Sequence, residues 1–223
     1  MNVYRKRKVA VIAGTAVDTA MGAEYIVENT EKLDVLRYPV SGNPQEQTMF
    51  QISDPALRES KITGIIEDAI SKSADGIFVY CNSLSGTVDF SGLSQRYGIP
   101  VVTPLMAYGH LSREYKRVGV IAANNQSLAG IEKAFLSGND EVEIIGTALL
   151  PVVKEIENGT EPSEIINKWK LAELMRFYEG VHAQCVVLGC THFPYFRKEL
   201  SEITELPVID PAEHMLSTLI NLL

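Results

Sequence analysis

Lys8-Val9-Ala10-Val11-Ile12-Ala13 returns 109 residues later as Arg117-Val118-Gly119-Val120-Ile121-Ala122. Each stretch is a basic residue leading into an unbroken apolar run of strand length. That is the pattern of a strand buried on both faces of a parallel sheet. The same offset carries the run ending at Cys81 onto the run ending at Cys190. An offset of 107 carries Ile99-Pro100-Val101-Val102-Thr103-Pro104 onto Leu206-Pro207-Val208-Ile209-Asp210-Pro211. Three matches in one order predict a duplicated architecture.

The rest of each half fills in around these runs. Val9–Ala13, Leu33–Tyr38, Gly76–Tyr80 and Val101–Val102 read as strands in the first half. Val118–Ala122, Val142–Ala148, Cys185–Gly189 and Val208–Ile209 do so in the second. A helix is expected where Asp54 caps Pro55 and where Leu57, Ile62, Ile65, Ile66, Ala69 and Ile70 line one side. Another starts near Pro162 and carries Ile165, Ile166, Trp169, Leu174 and Tyr178. Apolar strands alternating with amphipathic helices define an α/β fold. The expectation is two pseudo-symmetric lobes, each a parallel sheet of about four strands flanked by helices, with the active site between them. Thr103-Pro104 and Asp210-Pro211 mark parallel exits. They suggest residues 1–98 with 207–223 for one lobe and 99–206 for the other.

Composition narrows the function classes. Of 223 residues, 46% are hydrophobic and 22% charged, which excludes disordered and fibrous classes. No apolar run is long enough to span a bilayer. Arg5-Lys6-Arg7-Lys8 before an apolar run mimics a signal peptide, but Gly14 and Asp18 interrupt that run too early. A net charge of −8 disfavours nucleic acid. Three cysteines, an odd and sparse number, fit reduced thiols and a cytoplasmic location.

Two of those cysteines fall where open α/β sheets place their ligands, after the carboxyl end of a strand. The contexts are Val79-Tyr80-Cys81-Asn82-Ser83 and Val187-Leu188-Gly189-Cys190-Thr191-His192. Two thiols facing each other across a cleft suit inversion of a tetrahedral carbon: one removes a proton from one face, the other returns a proton to the opposite face. A free thiol titrates near 8.5, so the attacking sulfur needs help to ionise at neutral pH. Asn82, Ser83 and Thr191 supply side-chain donors, and His192 can exchange protons at physiological pH. Cys185, in a strand, reads as packing. A zinc set of His182, Cys185, Cys190 and His192 is rejected because His182 and Cys190 would lie roughly 25 Å apart at strand geometry. The loop Gly14-Thr15-Ala16-Val17-Asp18 lacks the spacing of a phosphate loop. It reads equally as a substrate-facing loop using Thr15 and Asp18 or as a capped helix start. Glu155 and Glu157 read by default as a solvated helix face.

Cys81-Asn82-Ser83 and Gly189-Cys190-Thr191-His192-Phe193-Pro194 resemble the two signature segments of the aspartate/glutamate racemase superfamily. The second segment looks most like glutamate racemases, since aspartate racemases more often carry Glu in place of His192. The resemblance implies pyridoxal-independent racemisation between two lobes, with Cys81, Cys190 and His192 in catalytic roles. It implies substrate binding or proton relay by Asn82, Ser83, Thr191 and His192, beside Thr15 from the loop reading above. Ser41 and Gly42, after Tyr38-Pro39, stand where the family has its carboxylate-binding loop. Glu157 falls near a family carboxylate. Glutamate racemases open with Asp-Ser-Gly after the first strand, the Asp assisting the first cysteine. Here the stretch is Ala13-Gly14-Thr15, and the nearest acid is Asp18.

The expected function is thus an amino-acid racemase acting on glutamate or aspartate, without metal or pyridoxal phosphate. Asp18 and Glu157 are candidate proton-relay or assisting groups. Its expected partners are a small anionic amino acid and, in a homodimer, a second copy of the chain, with no nucleic acid and no membrane. Alternatives within the superfamily are a hydantoin racemase or maleate isomerase type of two-thiol isomerase. A non-catalytic ligand-binding relative is the alternative of a different class.

Overall fold

The computed structural model describes residues 5–223, so residues 1–4 of the expected first lobe lie outside the described residues. The chain forms two units, Met1–Pro104 with Ala212–Leu223 and Leu105–Pro211. The first unit runs β1 (Arg7–Ala13), α1 (Ala16–Asn29), β2 (Leu33–Pro39), α2 (Pro44–Gln51), α3 (Pro55–Ser71), β3 (Gly76–Val79), α4 (Asn82–Ser85), α5 (Phe90–Tyr97) and β4 (Val101–Val102). The chain then enters the second unit through α6 (Pro104–Glu114). There follow β5 (Arg117–Ala122), α7 (Asn125–Gly138), β6 (Glu143–Ala148), α8 (Leu150–Glu157), α9 (Pro162–Lys168), α10 (Leu171–Gly180) and β7 (Cys185–Gly189). A 3₁₀ turn over Phe193–Phe196, α11 (Arg197–Ser201) and β8 (Val208–Ile209) complete it, and α12 (Pro211–Leu222) returns to the first unit.

Each unit holds a four-stranded parallel sheet, in the orders β2-β1-β3-β4 and β6-β5-β7-β8. The register preserves the sequence repeat. Val9 lies opposite Gly76, and Val118, 109 residues on, lies opposite Cys185. Ile77 pairs with Val101 as Val186 pairs with Val208. Val9–Ala13 of β1 and Val186–Val187 of β7 are fully buried, as central parallel strands covered on both faces must be.

The exits differ from the expected boundaries at 98/99 and 206/207. The Ile77 N–H donates to the Pro100 carbonyl at 2.8 Å and the Val186 N–H to the Pro207 carbonyl at 2.9 Å. These bonds satisfy the outer edge of β3 and of β7, so each short strand stays in the sheet it follows. The change of unit comes after Pro104 and after Pro211. Helix α12 then contributes Ala212, Met215, Leu216 and Leu219 to the core of the first unit. Helix α6 contributes Tyr108, which stacks on Phe135 with centroids 5.1 Å apart in the second.

Two helices differ from the sequence pattern. On α3, Ile62, Ile66 and Ala69 are buried, but Leu57 is 55% exposed. Five residues at 100° each turn it about 140° away from Ile62. The pattern from Pro162 to Tyr178 is two helices, because Lys170 adopts φ 53° and ψ 41° and breaks the ladder between α9 and α10. Among the described residues no helix is long and apolar enough to cross a membrane.

Candidate functional site

In the first unit the third strand delivers Cys81. Strand β3 ends at Val79, Tyr80 closes onto β1 through its N–H and the Ile12 carbonyl, and Cys81 is the residue before α4. Cys81 is 5% exposed, and its sulfur lies 3.1 Å from the Ser83 hydroxyl oxygen. Asn82 and Ser83, at the start of α4, are buried beside it.

The loop after β2 closes against the same place. Val40 and Ser41 donate backbone N–H groups to the Ala13 and Gly14 carbonyls. The Ser41 hydroxyl donates to Gln47 Oε1 at 2.9 Å, and Gln47 Nε2 donates to Ser83 Oγ at 2.9 Å. Ser41 and Ser83 are thus joined to Cys81 in one line. The Gly42 N–H donates to Glu46 Oε2 at 2.8 Å. Thr15 and Asp18 form a capping box at the start of α1. The Asp18 carboxylate accepts from the Gly14 and Thr15 N–H groups and from the Thr15 hydroxyl, so the helix-start reading of this loop describes these bonds.

Gln47 escaped the sequence reading because α2 did. That helix buries Gln47 and Gln51 rather than a clear apolar stripe. The signal was Asn43-Pro44 with Glu46 following. The Asn43 side chain accepts from the Glu46 N–H, and the Glu46 carboxylate accepts from Asn43 Nδ2 and the Gly42 N–H.

In the second unit Cys190 directly follows β7 and is 5% exposed. Its sulfur lies 3.7 Å from His192 Nδ1, and the other ring nitrogen, Nε2, lies 2.9 Å from Glu157 Oε1. Thr191 is buried between Cys190 and His192 in sequence. With Nε2–H donating to the carboxylate, Nδ1 presents a lone pair to the thiol. The imidazole can then take the thiol proton, and Glu157 stabilises the cation that results. Glu157, the last residue of α8, is thereby turned onto His192 rather than lying on a solvated face. Glu155 is instead half-buried and paired with Lys168 at 2.7 Å, with the Thr160 hydroxyl donating to its other oxygen, and these bonds hold its carboxyl below the usual range.

Cys185 opens β7 and is fully buried. Burial, with a smaller contribution from the Glu114 charge, pushes its thiol up to about 12. Such a sulfur stays protonated and inert at neutral pH. Among the described residues no group of three or more His, Cys, Asp or Glu side chains is placed to hold a metal ion.

Relatives share both sequence and fold. A glutamate racemase of Aliivibrio salmonicida is 31% identical over 133 residues, covering 58% of this chain and 48% of that protein. The chain thus spans about half the length of that curated relative. The crystal structure of a Francisella tularensis glutamate racemase in complex with D-glutamate superposes with a TM-score of 0.76 at 18% identity, covering 97% of this chain and 80% of that one. The Picrophilus torridus aspartate racemase gives 0.68 at 16% identity, covering 96% and 93%. The family described as Asp/Glu/Hydantoin racemase matches residues 23–218, which include both cysteine segments. The chain belongs to the Asp/Glu/Hydantoin racemase family.

Proposed function

We propose that the chain is an amino-acid racemase acting on glutamate or aspartate without pyridoxal phosphate, with Cys81 and Cys190 as its two acid/base groups. The observation that carries this reading is their equivalent placement. Each sulfur follows the third strand of its own sheet, and each contacts a polar side chain two residues on, Ser83 in one unit and His192 in the other. The third thiol, Cys185, has no such neighbour in sequence and is held protonated. The names of the relatives, glutamate racemase and aspartate racemase, support the choice of substrate class.

In this mechanism one sulfur starts as thiolate and the other as thiol. The thiolate takes the α-proton, and the electron pair of the broken C–H bond delocalises into the substrate carboxylate. The second thiol then delivers its proton to the opposite face of the α-carbon. After one turnover the two sulfurs have exchanged protonation states, which is the form required for the reverse reaction. On the Cys190 side, His192 and Glu157 hold or release the thiol proton.

The test is circular dichroism of L- and D-glutamate, L- and D-aspartate and a hydantoin, each incubated with purified protein without added pyridoxal phosphate. Decay of the signal of either acidic amino acid, unaffected by dialysis against a chelator, is expected. Decay of the hydantoin alone would reassign the substrate, and five unchanged signals would overturn the reading.

A further inference from the structure

The line Ser41–Gln47–Ser83–Cys81 has a direction. Ser41 gives its hydrogen to the carbonyl oxygen of the Gln47 amide, and the amide gives one of its hydrogens to Ser83 Oγ. Ser83 therefore accepts on the Gln47 side, which leaves its own hydrogen available to the sulfur 3.1 Å away. Both assigned donors in the line, Ser41 and the Gln47 amide, point toward Cys81. A hydroxyl that donates to sulfur favours the thiolate. With the amide turned over, Ser83 would donate to Gln47, and the thiol would become the donor.

The seat of this amide is tight. Gln47 is 7% exposed, and a Cβ built on Gly14 would come within 2.9 Å of Gln47 Cγ. The first-strand turn thus needs glycine at 14 for the glutamine to reach Ser83. Gln47 touches neither the sulfur nor an ionisable group among its hydrogen-bond partners. Its leverage on Cys81 runs through the direction of one hydroxyl.

We propose that Gln47 is a positioning residue for Cys81, its amide orienting the Ser83 hydroxyl so that the hydroxyl hydrogen is delivered to the sulfur. This deepens the racemase reading, and rests on it for the use made of the thiolate. It gives the Cys81 side a neutral relay, whereas the Cys190 side carries a titratable one in His192 and Glu157.

The experiment is the pH profile of alkylation of each cysteine by iodoacetamide, read by mass spectrometry of the peptides. It compares the unmodified chain with Gln47→Glu, Gln47→Met and Gly14→Ala. Alkylation needs no substrate, so it tests Gln47 even if every amino acid fails to turn over. Gln47→Met removes the donor. It should move the Cys81 midpoint up by about one pH unit, roughly tenfold slower alkylation below the midpoint. Gln47→Glu keeps the shape but puts an acceptor and a charge beside Ser83, so it should move the midpoint further. Gly14→Ala should shift it in the same sense with Gln47 still present. The Cys190 profile should stay fixed in all three. A Cys81 midpoint unchanged in Gln47→Met overturns the proposal, because that variant removes the donor without adding a charge. So does a shift shared equally by Cys190, because loosened packing would move both.

Discussion

Glu157 Oε1 and Cys190 Sγ engage different nitrogens of one imidazole: the carboxylate stands 2.9 Å from Nε2 of His192 and the sulfur 3.7 Å from Nδ1. The ring therefore couples a charge 33 residues away in sequence to the thiol. Its effect on turnover has to be sought in the right quantity. A racemisation has an equilibrium constant of one, so any substitution must lower kcat/KM equally in both directions. The asymmetry lies in which proton transfer limits the rate. His192→Asn should lower kcat/KM by about a hundredfold, and Glu157→Gln by about tenfold. In both, the deuterium isotope effect should rise for the α-deuterated enantiomer deprotonated by Cys190, and fall or stay level for the other. Equal changes for both enantiomers would remove His192 and Glu157 from the Cys190 side.

Replacing one thiol should separate deprotonation from inversion. Cys81→Ser and Cys190→Ser should each lose most racemisation, because a hydroxyl is a far weaker acid than a thiol and does not ionise to a usable base near neutral pH. Each should still exchange the α-proton of one enantiomer in heavy water through its intact cysteine, without inverting it. The two variants should choose opposite enantiomers by proton NMR. Cys185→Ala should leave turnover nearly intact. A Cys185→Ala variant that is inactive, beside an active Cys81→Ala, would refute the pairing.

Cys185 should instead appear in the alkaline limb of stability. Its folded thiol is held at about 12, against 9.0 for the ordinary group. Below pH 9 both states keep the proton and no stability is lost. Between pH 9 and 12 the unfolded chain releases it while the folded chain retains it. Unfolding then becomes easier by about 1.4 kcal/mol per pH unit. Tyr178, also raised to about 12, adds a similar slope above pH 10. Urea unfolding from pH 8 to 11 should show this fall, and Cys185→Ala should flatten its onset while costing about 1–2 kcal/mol at pH 8 through lost packing. An onset unchanged by Cys185→Ala would assign the alkaline limb to other groups.

The sequence exposed the scaffold because central parallel strands are buried on both sides and must read as apolar runs. Val9–Ala13 and Arg117–Ala122 carry no other message, and their shared offset revealed the duplication. Local pattern was less informative where a polar side chain is buried. Helix α2 turns Gln47 and Gln51 inward, so no hydrophobic period marks it, and the residue that orients Ser83 went unseen. Glu157 was marked by the family resemblance alone, and local pattern missed it for a different reason. Nothing within α8 distinguishes it from Glu155, and only the return of the chain at His192 gives it a partner. The break at Lys170 likewise has no glycine or proline to announce it.

The path of α12 has a consequence for the order in which the protein can be assembled. The second unit is continuous, Leu105–Pro211, so all of its core exists once that stretch has left the ribosome. The first unit is synthesised earlier, yet Ala212, Met215, Leu216 and Leu219 belong to its core. Its opening hundred residues must therefore wait with an apolar face uncovered while the later unit is made. Residues 212–223 close the core of the first unit, and a chain stopped at Pro211 would leave a finished second unit attached to an unfinished first one.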